Sequence, residues 1–468
     1  MKSLRPAALA LAVTLAPAAR PALAQALSQT QAPQPAVSLE EMLESARLHQ
    51  PQLRQAHAGT QAARARVDGA RAPLLPQLTA QYSDQLVTAN AFNRPGSGNL
   101  GTGGTGTGGT GTGGTGTGGI GGTSGTSTGS FKLYNYFSGS ITANQLIYDF
   151  GQSTGRYRSS QAAAAAFADT ERATELAISL NVRVAFFSAR ANKSLALVAR
   201  SNLDNQRRHL DQTVQFVNAG THPEIDLATA RTAVANAEVQ LINAENQYGL
   251  SKATLNQAAG VERASDYDVT DDSMPEIAHE DEPLEALLEL ALKARPEVAS
   301  LEEQVRAQQL TLRSIEGNFA PALGASAGLT QGGTAFDHLG WNVSAGLTLT
   351  WQIFQGGLTT AQVHEAEANV GSLAAQLDSL RLQLRLEVEQ TRLAVRATKS
   401  TVRATEDALK SAREQLRLAD GRFETGVGNA VEQADAQLAL TNAAAQRVQA
   451  DYQLATARAQ LLKALGQE

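Results

Sequence analysis

Trp341 opens the stretch WNVSAGLTLTWQIFQGG (341–357), which differs in kind from the chain around it. Trp341, Val343, Ala345, Leu347, Leu349, Trp351 and Ile353 form an apolar row at every second position. Between them stand Asn342, Ser344, Gly346, Thr348, Thr350 and Gln352, all small or polar. Strand side chains alternate between two faces, so a period of two predicts a strand with one greasy and one wet face. The rest of the chain is rich in Ala, Gln and Arg and reads mostly as helix. A strand framed by two tryptophans in that setting needs something to cover its apolar face.

Composition narrows the choice. The 468 residues leave room for two or three ordinary domains. Cysteine is absent, which excludes disulfides, thiolate metal sites, a cysteine nucleophile and a lipid-modified N-terminal cysteine. The net charge is −6 without a basic cluster, which argues against a nucleic-acid partner.

At the N-terminus, Lys2 and Arg5 precede an apolar run from Ala7 to Ala16, and Ala22–Ala24 supplies small residues before Gln25. This is the layout of a secretory signal peptide over 1–24. Spanning a bilayer needs roughly 20 apolar residues, more than this run has. Removing Lys2, Arg5 and Arg20 takes the net charge to −6 − 3 = −9. No other run is long enough for a membrane helix. The expectation is an exported protein without one.

The chain is also written twice. HQPQL (49–53) answers ARPEV (294–298), and LPQL (75–78) answers APAL (320–323), both at an offset of 245. IYDFGQ from Ile147 answers IFQGGL from Ile353 at 206, the offset that also relates Gly220 to Gly426, Asp226 to Glu432 and Gly260 to Gly466. The change of 245 − 206 = 39 falls in the interval holding the reiterated Gly/Thr tract from Gly101, an extra loop in the first copy (95–130). The expected division is signal peptide 1–24, N-terminal segment 25–37, first repeat 38–260, linker 261–282 and second repeat 283–468.

Each copy reads in the same order. A helix (38–72; 283–317) is followed by a strand, PQLTAQYSDQL or PALGASAGLTQ. A second strand follows, FSGSITANQLIY or the opening stretch. A very long helix (153–218; 358–424) and a return helix (226–260; 430–466) complete the copy. Gly220 and Gly426 suit left-handed C-terminal caps. Thr221 with Glu224, and Asn429 with Glu432, have capping-box spacing. A helix of about 66 residues is roughly 100 Å long.

Ten residues separate Trp341 from Trp351, about 34 Å at ~3.4 Å per residue. Tilted by ~40°, the strand rises about 26 Å, close to the ~25 Å apolar band and aromatic girdles of outer-membrane barrels. Phe137, Gly139, Ile141 and Ala143 alternate likewise with Ser138, Ser140, Thr142 and Asn144. A soluble sandwich strand is the plainer alternative, and the signal peptide weighs against it. Open sheet edges are not tolerated in lipid, and four strands do not close a barrel, so the chain must oligomerise. A trimer gives twelve strands around a lumen lined by Ser, Thr, Asn and Gln. The fold class is therefore a mixed α+β membrane protein, a 12-stranded barrel continuous with a long periplasmic α-helical barrel.

The stretches ARAPLLPQL (70–78), HLDQTVQFVNAG (209–220), IFQGGLTTAQV (353–363) and GRFETGVGNAVEQADA (421–436) resemble the TolC-like family of outer-membrane efflux proteins. The resemblance spans about 38–466. It implies a homotrimer in the outer membrane of a Gram-negative bacterium, serving as the exit duct of an efflux or type I secretion system. It further implies a periplasmic adaptor and an inner-membrane exporter, proton-driven or ABC-type, as partners.

The family's periplasmic mouth is ringed by acids, which by position fall on Glu432 and Asp435, with Asp226 in the closing network. Two acids from each of three protomers make six carboxylates, a ring that favours cations. For Glu432 a capping and helix-dipole role is the competing reading. Where the family carries a tyrosine and an arginine that latch the mouth, this chain has Phe423 and Gly428. The implied latch is packing around Phe423. Gly220, Thr221, Gly426 and Val427 fall at the tips that meet the adaptor, and Trp341 and Trp351 at the lipid-facing girdle.

Two motifs point elsewhere and fail on context. GASAG (324–328) fits a nucleophile elbow, but Ser326 sits inside an alternating strand rather than at a strand-to-helix turn. GTGGTG (101–106) fits a dinucleotide fingerprint inside a low-complexity tract. The seven histidines show no paired metal spacing. No catalytic residue, cofactor or metal is assigned. The rival readings are a trimeric adhesin stalk, which needs one sustained heptad seam per helix, and a diffusion porin, in which two ~100 Å helices have no purpose.

Overall fold

A computed structural model describes residues 36–88, 133–221, 223–262, 264–425 and 427–467. The signal peptide, most of the N-terminal segment, the Gly/Thr loop and Gly426 lie outside the described residues. The first half runs β1 (Ala36–Val37), α1 (Leu39–His49), α2 (Pro51–Arg71), β2 (Gln77–Thr88), β3 (Leu133–Tyr148), α3 (Gln152–Asn218) and α4 (Glu224–Ala259). The second runs β4 (Asp268–Val269), α5 (Leu284–Ala294), α6 (Pro296–Glu316), β5 (Ala322–Gly333), β6 (Gly340–Thr350), α7 (Leu358–Glu424) and α8 (Ala430–Ala464). Counterparts agree in length: 11 residues for α1 and α5, 21 for α2 and α6, and 67 for both α3 and α7. A 67-residue helix is about 100 Å long.

The single helices expected over 38–72 and 283–317 are each two. Gln50 (ψ 120°) and Arg295 (ψ 118°) leave the helical region because Pro51 and Pro296 follow them. A proline clashes with a helical residue before it yet is well placed at the first position of the next helix. Strand β6 is also shorter than the alternation suggests. It ends at Thr350, so Trp351 and Ile353 lie past it. The Thr221–Glu224 capping box does not form: α4 begins after Pro223, and Thr221 Oγ1 donates back to Phe216 O at 2.9 Å.

Strands β2, β3, β5 and β6 form one antiparallel sheet in that order. Its register sorts residues by polarity. Val343 stands opposite Leu329, Leu329 opposite Ile141, and Ile141 opposite Ala80. The neighbouring row is Asn342, Thr330, Ser140 and Gln81. Directly opposed residues share a face. One face is therefore mainly apolar across all four strands, while the other carries Ser, Thr, Asn, Gln and Gly. Ser326 lies mid-strand between Asn144 and Gly346, which removes the nucleophile elbow.

Midway along the long helices the chain builds its core. Val182, Phe186 and Phe187 of α3 pack with Met42, Leu255, Tyr267 and Val269. A second cluster joins Leu287, Val388, Val395 and Leu461. The segment read as a linker (261–282) is built into this region: β4 pairs in parallel with β1, and Glu280 is buried. Lys399 Nζ of α7 lies 2.8 Å from Glu280, and Arg458 Nε of α8 lies 3.2 Å away. Burial alone would raise the Glu280 pKa, but hydrogen bonds from Lys399, the Ile277 N–H and Arg458 outweigh it and hold the carboxyl below its ordinary range.

Candidate channel aperture at the helix tips

At the end of α3 away from the sheet, Gly220 takes φ +73°. Its N–H reaches Val217 O at 2.9 Å, and Thr221 N reaches Phe216 O at 3.0 Å. This paired arrangement satisfies the last carbonyls of α3 and turns the chain into α4. The α7 tip is closed differently: the N–H groups of Val427 and Gly428 both donate to Arg422 O, at 3.0 and 2.8 Å. A Cβ on Gly428 would lie 3.1 Å from backbone atoms of Arg422 and Phe423, so the position is tight for any side chain. Thr221 and Val427 are exposed at these tips.

The two hairpins enclose a cleft of about 550 Å³ between α3, α4, α7 and α8. Asp226 of α4 lines it with Asp420, Phe423, His209 and Gln433. Phe423 is buried, its ring edge-on to His209 at 5.4 Å and to Phe216 at 5.8 Å. The aromatic side chain standing at the family's tyrosine position thus packs onto α3 of its own chain. Gln433 Nε2 donates to Asp420 Oδ1 at 2.7 Å.

The three acids do not converge within one chain. Asp226 is half-buried in the cleft, while Glu432 and Asp435 are exposed on α8. Glu432 carries two local roles. Its N–H is capped by Asn429 Oδ1 at 2.7 Å, and its carboxylate lies 3.2 Å from Arg422 Nε. Arg422, two positions before the end of α7, thus gives Glu432 a counter-charge within the chain. Three spacings along α8 keep Asp435 on the same helix face as Glu432.

Above the cleft lies a polar ladder that the sequence reading missed. Asn205 Nδ2 donates to Gln437 Oε1 at 3.3 Å, and Gln437 Nε2 donates to Asn202 Oδ1 at 3.2 Å. Thr441 Oγ1 adds a bond to Asn202 Oδ1 at 3.3 Å. The signal was available: 202, 205 and 209 on α3, and 433, 437 and 441 on α8, are polar at helix-face spacing. At the far end, Trp341 is exposed at the start of β6, and Trp351 Nε1 donates to Phe319 O at 2.9 Å. Among the described residues no group of side chains forms a metal site, and no helix is long and apolar enough to cross a membrane.

The model of the outer membrane efflux protein family matches residues 42–261 and 287–467, most of both halves. The chain belongs to this family. It is 25% identical to the outer membrane protein TolC of Escherichia coli K12 over 371 residues, 73% of this chain and 64% of TolC. It thus spans just under two thirds of that relative's length. Among solved structures, a membrane protein from Pseudomonas aeruginosa superposes with a TM-score of 0.76 at 20% identity, covering 92% of both chains. The Campylobacter jejuni outer membrane channel CmeC gives 0.76 at 17% identity, covering 92% of this chain and 85% of its own. These likenesses establish the shared fold. As a family member, the chain is an outer-membrane protein, and it belongs to a family of transport ducts rather than of enzymes.

Proposed function

We propose that the chain is the exit duct of a tripartite efflux or type I secretion assembly, working as a homotrimer. The observation that carries this reading is the sheet register. A four-stranded sheet, apolar on one face and polar on the other, is what one third of a lipid-embedded, water-lined barrel requires. Among the described residues, both of its edges, β2 and β6, lack a neighbouring strand. Three copies give twelve strands. The 67-residue helices that continue from β3 and β6 extend the conduit about 100 Å into the periplasm.

In this reading Trp341 and Trp351 mark the two membrane surfaces, and the helix tips form the periplasmic mouth. Asp226, Glu432 and Asp435 give the mouth its cation preference, tempered by Arg422. Phe423 holds it closed by packing. The tips at Gly220–Thr221 and Gly426–Val427 meet a periplasmic adaptor, which couples the duct to a proton-driven or ABC-type inner-membrane exporter.

The test is single-channel conductance of the purified protein in a planar bilayer, beside an Asp226→Asn/Glu432→Gln/Asp435→Asn variant. A small cation-selective conductance that loses selectivity in the variant is the expected result. A conductance whose selectivity the triple substitution leaves untouched would remove the acids from the pore.

A further inference from the structure

Residues of the first half correspond to residues of the second at +245 as far as the first barrel strand, and at +206 from the second strand onward. Within the chain the two halves meet where α3 packs on α6 and β3 pairs with β5. The counterparts of α3 and α6 are α7 and α2, and those of β3 and β5 are β6 and β2. Strands β6 and β2 are the opposite edges of the sheet, so one chain cannot bring them together. We propose that this second seam forms between copies, α7 and β6 of one docking on α2 and β2 of the next, with an ion pair joining Glu365 to Arg66. The inference rests on the oligomeric reading above and gives it a residue-by-residue register.

The seam inside the chain supplies the template. Ser159 Oγ lies 2.8 Å from Thr311 Oγ1. Adding 206 to the first and subtracting 245 from the second gives Glu365 and Arg66, both exposed and opposite in charge. A Cβ on Gly155 would lie 2.8 Å from Ser314 Cβ, so these helices touch only because one partner lacks a side chain. The counterparts are Ala361 and Gly69: the glycine has changed helix, yet the pair stays small. Gln152 donates to Asn318, an amide pair whose counterparts are Leu358 and Pro73, both apolar. Three contacts are thus replaced as matched pairs, one oppositely charged, one small and one apolar. Residues that never meet have no reason to change together in this way.

Burial supports the same seam. Leu176 of α3 is 7% exposed, while its counterpart Leu382 on α7 is 71% exposed. This leucine is covered in the first half, while its counterpart on α7 stands open. The strands carry the same asymmetry. β3 runs to Tyr148, four residues past Asn144, its last partner on β2, because β5 pairs with that extension. β6 stops at Thr350, the counterpart of Asn144, and leaves Trp351–Phe354 outside any ladder. Tyr148 stands opposite Leu323. The counterparts are Phe354 and Leu78, both exposed, and docking extends β6 by four residues to set them side by side. This head-to-tail contact uses different surfaces on its two sides, and repeated by rotation it closes a ring.

The absence of cysteine makes the test clean. In the Arg66→Cys/Glu365→Cys variant, oxidised in detergent, we expect covalent dimers and trimers on non-reducing gels, reversed by reductant. Either single substitution should leave monomer bands. The Ser159→Cys/Thr311→Cys variant is the folding control, because its bridge closes within one chain and consumes two thiols without changing subunit mass. Trimeric particles in which the control closes but residues 66 and 365 do not cross-link would overturn this seam while leaving the oligomeric duct intact. Monomeric particles in which the control closes would overturn the oligomeric reading itself. Charge reversal gives a second readout: Arg66→Glu should lower the temperature at which the trimer dissociates, and Arg66→Glu/Glu365→Arg should restore it. Failure to restore would overturn the ion pair.

Discussion

Gln50 Nε2 donates to the carbonyl oxygen of Ala258 at 2.9 Å, and Arg295 Nε donates to that of Ala464 at 3.0 Å. Gln50 and Arg295 correspond under the +245 offset, and Ala258 and Ala464 under the +206 offset. One contact is therefore made twice, between the proline break of the short helices and the C-terminus of the return helix. The glycines beside it complete the joint. Gly260 and Gly466 take φ of +68° and +72°, and a Cβ on either would lie 2.8 Å from backbone of Gln50 or Ala294. A left-handed conformation costs an L-residue about 1–2 kcal/mol, and overpacking adds roughly 1–3 kcal/mol. Gly260→Ala and Gly466→Ala should each lower the denaturant midpoint accordingly. Gly371→Ala is the contrast: the site is exposed mid-helix with nothing within 4 Å, and alanine there should be neutral or stabilising. Equal effects at all three positions would refute the argument.

The two versions of this joint differ in charge. Arg295 is buried, and its Nη2 lies 2.7 Å from Glu387 Oε1, a charge contact that Gln50 does not make. Its Nη1 also donates to Glu297 Oε1 at 3.2 Å, so Arg295→Gln should keep the bond to Ala464 and lose both charge contacts, at about 1.5–3 kcal/mol. Lys463 Nζ stands 3.8 Å from the Glu387 carboxylate and keeps it from being stranded. Arg295→Ala removes all three interactions and should cost more, roughly 3–5 kcal/mol. If chemical denaturation ranked Gln and Ala as equal, the shared bond to Ala464 would be worth nothing.

Much of this architecture was legible in the sequence because its signals are local or periodic. The alternation from Trp341 gives a strand wherever it lies, and HQP and ARP carry in their prolines the breaks at Gln50 and Arg295. The end of β6 was not legible. Trp351 and Ile353 continue the alternation, but β5 offers no partner beyond Ala322, so pairing rather than pattern sets the limit. The Arg422–Glu432 pair was hidden for a related reason: ten residues and a turn separate partners that only the folded hairpin brings together. The Asn202–Gln437 ladder joins residues 235 apart, and nothing in a single helix face announces its partner.

Glu280 ties the 261–282 segment to α7 and α8, so that tie should depend on pH. Its carboxyl is depressed in the folded state, so the stabilisation is fully present above the ordinary carboxylate pKa of 4.5 and is lost as pH falls below it. Lys399 shifts up, mainly through its hydrogen bond to Glu280, so its share is lost only above its ordinary pKa of 10.5. Melting followed by circular dichroism should show wild type losing stability below about pH 4.5 more steeply than Glu280→Gln. At neutral pH the substitution should cost roughly 1.5–3 kcal/mol, because Arg458 loses its buried charged partner and keeps only Met274 O and the exposed Glu276 carboxylate. Parallel acid profiles would show that the carboxylate contributes nothing.

Phe423 is held at the α7 tip by two edge-on aromatic neighbours, His209 and Phe216. Such pairs are worth about 0.5–1.5 kcal/mol each beyond area burial. Phe423→Leu should therefore loosen the tip by roughly 1–3 kcal/mol, and Phe423→Ala by more. The opening is local, so global unfolding should move less than protease nicking near residues 421–430. Basal conductance should rise in the order Phe, Leu, Ala. Unchanged conductance in Phe423→Ala would dismiss packing as the latch.

The register of the sheet makes the sharpest demand on lipid. Ala345 stands opposite Ala327, itself opposite Ala143, on the apolar face. Its neighbour Ser344 stands opposite Gly328, itself opposite Thr142, on the polar face. Both lie about midway between Trp341 and Trp351, so depth does not distinguish them. An arginine on the lipid face near the midplane costs about 2–4 kcal/mol, whereas one on the lumen face keeps its hydration. Ala345→Arg should reduce the folded fraction recovered in lipid vesicles. Ser344→Arg should fold normally and shift ion selectivity away from cations, since three guanidinium groups would then line the lumen of the trimer. A soluble sandwich core would reverse the first result only in part: burying Ala345→Arg would still destabilise, but with no dependence on bilayer thickness. Refolding both variants into vesicles of short- and long-chain lipids therefore separates a membrane barrel from a packed sheet, and an Ala345→Arg penalty indifferent to chain length would sink the barrel.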